Sequence, residues 1–410
     1  LGDLFGHRRL FLSGITLFTI ASLACGLASS QGQLVAARAI QGLGGAIVAP
    51  ASLSILMTTF TEGAERNKAL GLWGAMGAVG GASGGLLGGV LTEVLSWRWI
   101  LLINIPIGFA AAFAALRAVP RVPRDTRQRS DFDLSGAATV TAGLVALTYA
   151  IVGTEQHGWG SARTLVVAGV GIALLVAFIT IEARFARTPL MPLRIFASRA
   201  LSGANIVVFC LGATGFAMWY FVSLYLQQVL GYTPIEAGLA FLPMPVAIAI
   251  STRFASRWTS EYGAGPVLAF GMALITAGMF GFGGVSAGGS YLSDVLWPSI
   301  VTAAGIGFSF VPATIAATTG VAGPEAGLAS GIVNTSRQIG GSLGLALLAT
   351  IATQRTADVA GHESAAAALA DGFRHAFVAG GVIGVLGIVF AVTLLMRGVT
   401  PRAAASPARR

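Results

Sequence analysis

Charged side chains are scarce in this sequence. Asp, Glu, Lys and Arg together make up 10% of its 410 residues, whereas hydrophobic residues make up 55%. Soluble domains usually carry about 25% charged residues. So few charges cannot cover a water-exposed surface for a chain of this length. The composition therefore argues against an ordinary soluble protein and indicates an integral membrane protein.

Cysteine, lysine and histidine are also rare. The two cysteines, Cys25 and Cys210, lie inside apolar stretches, which disfavours a disulfide framework or a metal site. The four histidines show no ligand spacing, so we expect no metal and no cofactor. The net charge of +9 would suit nucleic acid, but the basic residues lie between apolar stretches. Lys68 is the single lysine, and we interpret this arginine bias as a sign of bacterial origin.

Apolar stretches recur along the whole chain, each about as long as the roughly 20 residues that a membrane-spanning helix needs. They are too long and too uniformly apolar for the strands of a membrane barrel. We therefore predict an all-α integral membrane protein with twelve spans. These spans are 9–29, 33–59, 69–91, 98–118, 135–153, 163–182, 201–229, 235–251, 264–285, 292–318, 326–352 and 373–395.

The basic residues are distributed asymmetrically between the loops. Cytoplasmic loops of membrane proteins are enriched in Lys and Arg. With a cytoplasmic N-terminus, the inside loops hold nineteen basic residues and the outside loops four, and Arg38 and Arg337 fall within spans. This asymmetry predicts that both ends of the chain are cytoplasmic. It also divides the chain into four spans (1–118), two spans with basic loops (119–200), six spans (201–396) and a disordered cytoplasmic tail (397–410).

A compact charged turn precedes the first span. It is either a basic membrane flank or a structured hinge in which Gly6 permits a tight turn. The residues of this turn are Gly2, Asp3, Gly6, Arg8 and Arg9. They resemble the signature of the cytoplasmic loop between the second and third helices of the major facilitator superfamily, which gates conformational exchange. Because the match begins in the middle of the signature, we expect two helices upstream of Leu1 and a truncated chain.

Arg38 lies within the second span, three residues before Gln41 and on the same helix face. A charge inside a span is costly and suggests a functional site. The alternative is that Arg38 extends along the helix to the outer interface. The run around Arg38 resembles the fourth-helix signature of the superfamily, whose arginine is linked to proton transfer.

Glycines four residues apart run along the third span. They indicate either generic tight packing or a smooth groove for a neighbouring helix. The run resembles the antiporter signature of the fifth helix, although Gly85 stands where that signature has proline. The residues concerned are Gly80, Gly84, Gly85, Gly88 and Gly89.

Three further segments resemble the fourteen-span drug:proton antiporter branch of the superfamily: 97–108, 225–238 and 327–344. In the last of them, Asn334, Arg337 and Gln338 form a polar stripe on one helix face. The stripe serves either interhelical hydrogen bonding or a water-filled cavity. The resemblance implies a two-bundle transporter, with 135–182 as the two extra central helices of this branch.

The resemblance implies a secondary active transporter that exports drugs or other hydrophobic or amphipathic molecules by alternating access, driven by the proton gradient. We expect a monomer in the cytoplasmic membrane, with Trp219 and Tyr220 as possible lining of the substrate path. Alternatives are an exporter of one metabolite and an inactive transporter-like fragment. An enzyme is disfavoured, since no nucleophile–base set or paired carboxylates occur at membrane depth. Glu182 and Asp294 lie at span ends, so we expect the coupling carboxylate in the branch's first helix, outside this sequence.

Overall fold

The computed structural model describes residues 6–60, 64–119, 133–185, 189, 191–318 and 326–396. These ranges are helical almost throughout and contain no strand. The predicted all-α fold is therefore confirmed. The expected disordered tail at 397–410 and most of the basic loop after 119 lie outside the described residues.

Fourteen α-helices occur in the described ranges. The first seven are α1 (His7–Gly26), α2 (Gln31–Thr59), α3 (Ala64–Val94), α4 (Trp99–Leu102), α5 (Asn104–Ala118), α6 (Leu134–His157) and α7 (Ala162–Arg184). A 3-10 turn (Leu193–Ala197) precedes the others, which are α8 (Arg199–Leu224), α9 (Pro234–Ala240), α10 (Pro243–Tyr262), α11 (Ala264–Gly281), α12 (Trp297–Thr318), α13 (Ala326–Val359) and α14 (Ala365–Phe390).

Ten helical segments of the described chain are long and apolar enough to cross a membrane. Helices α3 and α13 cover the predicted spans 69–91 and 326–352 and contain 31 and 34 residues, but they are not among these ten. Helix α13 carries the polar residues Asn334, Arg337 and Gln338, which lower its hydropathy. The number of twelve spans therefore stays a prediction.

The chain forms two compact units, which we describe separately. Unit 1 comprises residues 1–130 and 232–242 and contains α1 to α5 together with the short helix α9. Unit 2 comprises residues 131–231 and 243–410 and contains the remaining helices. Helices α6 and α7, which cover the predicted pair of extra central helices, belong to unit 2, where α6 contacts α13. The four-part division predicted from the loops stays a prediction.

Serine side chains begin several of the helices. The hydroxyl groups of Ser30, Ser161, Ser198 and Ser364 each accept a hydrogen bond from a backbone N–H three residues further on. Such N-caps satisfy one of the free N–H groups of the first helical turn. Because of the cap at Ser364, α14 begins at Ala365, and the predicted start of this span at 373 is wrong.

The predicted span 235–251 differs from the structure in two ways. The helix is interrupted at 241–242, before Pro243, because proline has no N–H to continue the hydrogen-bond ladder. It then continues to Tyr262, beyond the apolar part. In this extension, Ser256 and Thr259 donate hydrogen bonds to backbone carbonyls four residues earlier, which lets polar side chains stay within the helix.

Glycines hold helices α8 and α13 of unit 2 close together. A Cβ atom at Gly340 would lie 2.8 Å from the backbone Cα of Phe209, and one at Gly344 would lie 2.6 Å from the Cα of Ala213. On another side of α8, Phe221 contacts Phe377 edge-on, and Phe377 stacks on Phe282 at 4.5 Å between ring centroids. Close backbone approach and this aromatic cluster together form the core of unit 2.

Candidate functional site

A buried polar network joins α1 and α2 in unit 1. The guanidinium of Arg38 donates a hydrogen bond to the side-chain oxygen of Gln41, and the Gln41 amide nitrogen donates to the hydroxyl of Ser22. The Cys25 sulfur lies 4.0 Å from the same Gln41 oxygen. Gln41, Ser22 and Cys25 are buried, whereas Arg38 is exposed. The network therefore fixes the orientation of the Arg38 guanidinium on the exposed side of α2.

Arg38 and Gln41 were predicted from the sequence, whereas Ser22 and Cys25 were not. The signal that could have found them is their spacing of three residues, which places them on one face of α1. Two glycines let that face approach α2. A Cβ atom at Gly44 would lie 2.8 Å from the Cα of Phe18, and one at Gly14 would lie 3.0 Å from the Cβ of Ile47.

The described part of the predicted hinge consists of Gly6, which precedes α1, and Arg8 and Arg9, which lie in the first turn of α1. Gly6 has φ +83°, a left-handed conformation that favours glycine, so this turn is one that the sequence anticipated. Arg8 donates a hydrogen bond of 2.6 Å to the carbonyl of Leu116, in the last turn of α5. A cation there interacts favourably with the helix dipole. Arg9 is exposed, and Gly2 and Asp3 lie outside the described residues.

The glycine-rich helix α3 contacts α9 within unit 1. A Cβ atom at Gly89 would collide with the carbonyl oxygen of Pro234, and one at Gly85 would be 3.8 Å from the Cβ of Phe241. The carboxylate of Glu93 also accepts a hydrogen bond of 3.0 Å from the N–H of Ile235. Two of the five predicted glycines thus meet another helix. The other three, Gly80, Gly84 and Gly88, have no described atom within 4 Å of such a Cβ.

The second set of predicted site residues lies on α13 in unit 2. Arg337 donates a hydrogen bond of 2.8 Å to the side-chain oxygen of Asn334, and its guanidinium lies 4.9 Å from the ring centroid of Phe310 on α12. Asn334 and Gln338 are exposed, and Arg337 is half-buried. The structure thus brings Arg337 and Asn334 together and adds Phe310, which the sequence analysis did not include.

The depth of Arg337 follows from its packing on α8. A Cβ atom at Gly212 would collide with the carbonyl oxygen of Arg337. Gly212 is the fourteenth residue of the 31-residue apolar segment Arg199–Val229, so it lies near the middle of that segment. The backbone of Arg337 therefore contacts α8 near the middle of an apolar segment long enough to cross a membrane.

The two aromatic residues predicted as possible lining lie in α8. Tyr220 is 44% exposed and meets Phe221 edge-on, with 5.2 Å between the ring centroids. Trp219 is half-buried. An exposed tyrosine beside the buried aromatic core of unit 2 offers both an apolar ring and a hydroxyl to a ligand.

Two carboxylates near helix ends contribute to local structure. Asp294 accepts a hydrogen bond of 3.2 Å from the hydroxyl of Tyr225, which also donates to the carbonyl of Ser286 at 2.8 Å. Tyr225 begins one π-helical turn (Tyr225–Val229) and Asp294 lies in another (Tyr291–Leu296). The contact between Tyr225 and Asp294 therefore joins the turn that follows α8 to the turn that precedes α12. Asp371 forms an ion pair of 2.6 Å with Arg355.

Asp133 caps the N-terminus of α6. Its carboxylate accepts hydrogen bonds from the hydroxyl of Ser135 at 2.6 Å and from the N–H of Gly136 at 2.7 Å. These bonds, the Ser135 hydroxyl first, lower the pKa of Asp133, and a hydrogen bond with Glu182 acts in the same direction. Glu182 in turn accepts a hydrogen bond of 3.2 Å from the N–H of Met191.

Ten described helical segments that are long and apolar enough to cross a membrane, with arginines inside α2 and α13, indicate a multi-pass membrane protein. The model of the Major Facilitator Superfamily matches residues 1–345. The chain belongs to this superfamily, as the resemblance of its signatures implied.

Its relatives include antibiotic export and resistance proteins. The cephamycin export protein CmcT of Amycolatopsis lactamdurans is 38% identical over 367 residues, which cover 88% of this chain and 76% of the relative. The puromycin resistance protein pur8 of Streptomyces alboniger is 39% identical over 403 residues, covering 96% and 77%. The tetracenomycin C resistance and export protein of Streptomyces glaucescens is 32% identical, covering 88% and 66%.

Solved transporter structures share the fold. A proton dependent oligopeptide transporter superposes with a TM-score of 0.61 at 16% identity, covering 97% of this chain and 86% of that one. A POT family transporter in complex with a thioalcohol conjugated peptide reaches a TM-score of 0.64 at 14% identity, covering 96% and 82%. At this identity the likeness concerns the fold alone.

Proposed function

We propose that this protein exports hydrophobic or amphipathic antibiotics and related small molecules across the cytoplasmic membrane, in exchange for protons. The names of the relatives support the substrate class, since they are export and resistance proteins for antibiotics. Transport would proceed by alternating access. In this proposal the protein acts as a monomer without a cofactor, it is not an enzyme, and both chain ends face the cytoplasm.

The main support for the proposed mechanism is the hydrogen-bonded network of Arg38, Gln41 and Ser22. Polar and charged side chains within a membrane-spanning helix are costly, and this cost makes the network a candidate functional site. The positive charge of the Arg38 guanidinium, on the exposed side of α2, can influence whether a nearby carboxylate is protonated. We therefore place Arg38 in the pathway of the coupling proton.

The test uses cells that express the protein from its complete reading frame in a strain without its own drug exporters. We expect such cells to retain less of an amphipathic fluorescent compound than control cells. An uncoupler should abolish the difference, because it removes the proton gradient. Equal retention with and without the protein contradicts export, whereas export that resists the uncoupler contradicts proton coupling alone.

A second candidate is an exporter dedicated to one metabolite. It is favoured by relatives whose names each give a single antibiotic. A panel of compounds from several chemical classes distinguishes the two functions. Protection against one class only supports the dedicated exporter, and protection against several supports the broader function.

A further inference from the structure

Charge is distributed unevenly along the described helices. Every acidic residue in them lies within the first or last seven residues of its helix, as Asp371 does in α14 and Glu182 in α7. Basic residues extend deeper. In unit 2, Arg337 is the twelfth residue of α13, and in unit 1, Arg38 is the eighth residue of α2. The interior of the described helices is therefore positive.

Among the residues that the structure describes, Arg337 is a cation without a carboxylate partner. Within the residues that the structure describes, no carboxylate oxygen lies within 4.0 Å of its guanidinium, whereas Arg355 on the same helix pairs with Asp371. Its neighbours are the neutral amide of Asn334 and the ring of Phe310. Guanidinium has five N–H donors, and one hydrogen bond to Asn334 leaves others free to bind an anion.

Two neighbours of Arg337 are exposed. Asn334 is exposed, and Phe310 is 42% exposed although it stacks with the guanidinium. The Asn334 side chain can donate through its NH₂ group while its oxygen accepts from Arg337. The ring supplies an apolar surface, and the two polar groups supply donors for an oxygen anion.

We propose that Arg337, Asn334 and Phe310 form a binding site for the carboxylate of an amphipathic aromatic substrate. A carboxylate would form charge-assisted hydrogen bonds with the guanidinium, and these are strong where water is scarce. A cationic substrate would be repelled at the same place. The inference rests on the proposed export function and specifies the charge of the transported molecule.

A purely structural role for Arg337 is the competing explanation. The cation–π contact with Phe310 would then hold α12 against α13. Removing this contact would reduce the amount of folded protein and so lower the transport of every substrate equally. A binding role instead changes the KM of anionic substrates only. This difference makes the two explanations separable by kinetics.

The experiment uses the protein from its complete reading frame in proteoliposomes with an imposed proton gradient. Two related dyes serve as probes: fluorescein, which carries a free carboxylate, and rhodamine 6G, a cationic ester. We expect R337Q to raise the KM for fluorescein about tenfold or more, the loss expected for one charge-assisted hydrogen bond. The KM for rhodamine 6G should stay unchanged or fall, and R337K should restore fluorescein transport in part.

Arg163 provides a matched control. Its guanidinium lies 5.8 Å from the ring centroid of Tyr149 and donates a hydrogen bond to the tyrosine hydroxyl, so it is another arginine–aromatic pair in unit 2, at the N-terminus of α7. R163Q should leave both KM values unchanged. If R337Q does not fold, F310L tests the same site with the charge retained, and it should raise the KM for fluorescein more than that for rhodamine 6G.

Three outcomes would overturn the proposal. Wild-type protein could transport rhodamine 6G but not fluorescein, or the variants could lower the maximal rate for both dyes without a change in either KM. R163Q could also match R337Q in its effect on fluorescein. Wild-type protein that transports neither dye would instead contradict the proposed export function, on which the inference depends.

Discussion

The amide of Gln41 connects Arg38 on its own helix to Ser22 on the neighbouring helix α1. Both polar atoms of the Gln41 side chain are used, one as an acceptor and one as a donor. A rotation of the amide would break both bonds at once. The position of the Arg38 guanidinium thus depends on a hydroxyl group in another helix.

Replacing Arg38 by alanine should abolish export while the protein remains expressed. The guanidinium is exposed, so its loss removes a charge from the pathway without leaving a cavity in the packing. Dye retention in intact cells and the amount of protein in the membrane are the two measurements. Wild-type export by R38A would mean that Arg38 only extends to the membrane interface.

Replacing Ser22 by alanine should destabilise unit 1. The Gln41 amide would lose its buried acceptor, and a buried unsatisfied polar group costs about 1–3 kcal/mol. Thermal unfolding in detergent measures the change. Ser13→Ala is the matched control on the same helix, since Ser13 is exposed and bonds only to the carbonyl of Leu10. Equal unfolding temperatures for the two variants would contradict the role of the network.

Replacing Gly340 by alanine should destabilise the contact between α8 and α13. The new methyl group would lie 2.8 Å from the Cα of Phe209, and backbone cannot move aside as a flexible side chain can. Overpacking of this kind costs about 1–3 kcal/mol. Gly331→Ala on the same helix is the control, because no described atom lies within 4 Å of its added Cβ. That variant should keep or slightly raise the unfolding temperature.

Replacing Asp133 by asparagine should reduce stability at neutral pH. The pKa of Asp133 is lowered in the folded protein, chiefly by the Ser135 hydroxyl. The resulting stabilisation is therefore present above the ordinary pKa of aspartate and is lost as the pH falls through the lower, folded-state value. Unfolding temperatures of D133N and wild type should differ at pH 7 and converge in strong acid. D358N, at an exposed position of α13, should follow wild type throughout.

The predicted orientation places the loop around Gly288 outside the cell and the C-terminal end of α10 inside. A cysteine at Gly288 should react with a membrane-impermeant maleimide in intact cells. A cysteine at the exposed residue Ser260 should react only after the membrane is opened. The two native cysteines are buried, so the background should be low. The reverse pattern would contradict cytoplasmic chain ends.

Several predictions from the sequence depended only on local properties, so they did not require knowledge of how the helices pack. The φ of +83° at Gly6 and the positions of most helices follow from residue type, hydropathy and length. The early start of α14 at Ala365 could also have been predicted, because Ser364 is a typical N-cap residue. The extension of α10 to Tyr262 was missed because hydropathy falls before the helix ends.

The sequence by itself determined that this protein is a bundle of membrane helices, because the length of an apolar stretch is a property of one segment. Its signatures also indicated the superfamily that they resemble, because each signature depends on residue spacing within one segment. The tertiary structure alone decided which helix supplies the partner of each polar group. Ser22 reaches Gln41 across 19 positions of sequence, and Phe310 reaches Arg337 from another helix. Such contacts depend on how helices pack, and no periodicity within one helix specifies its neighbour.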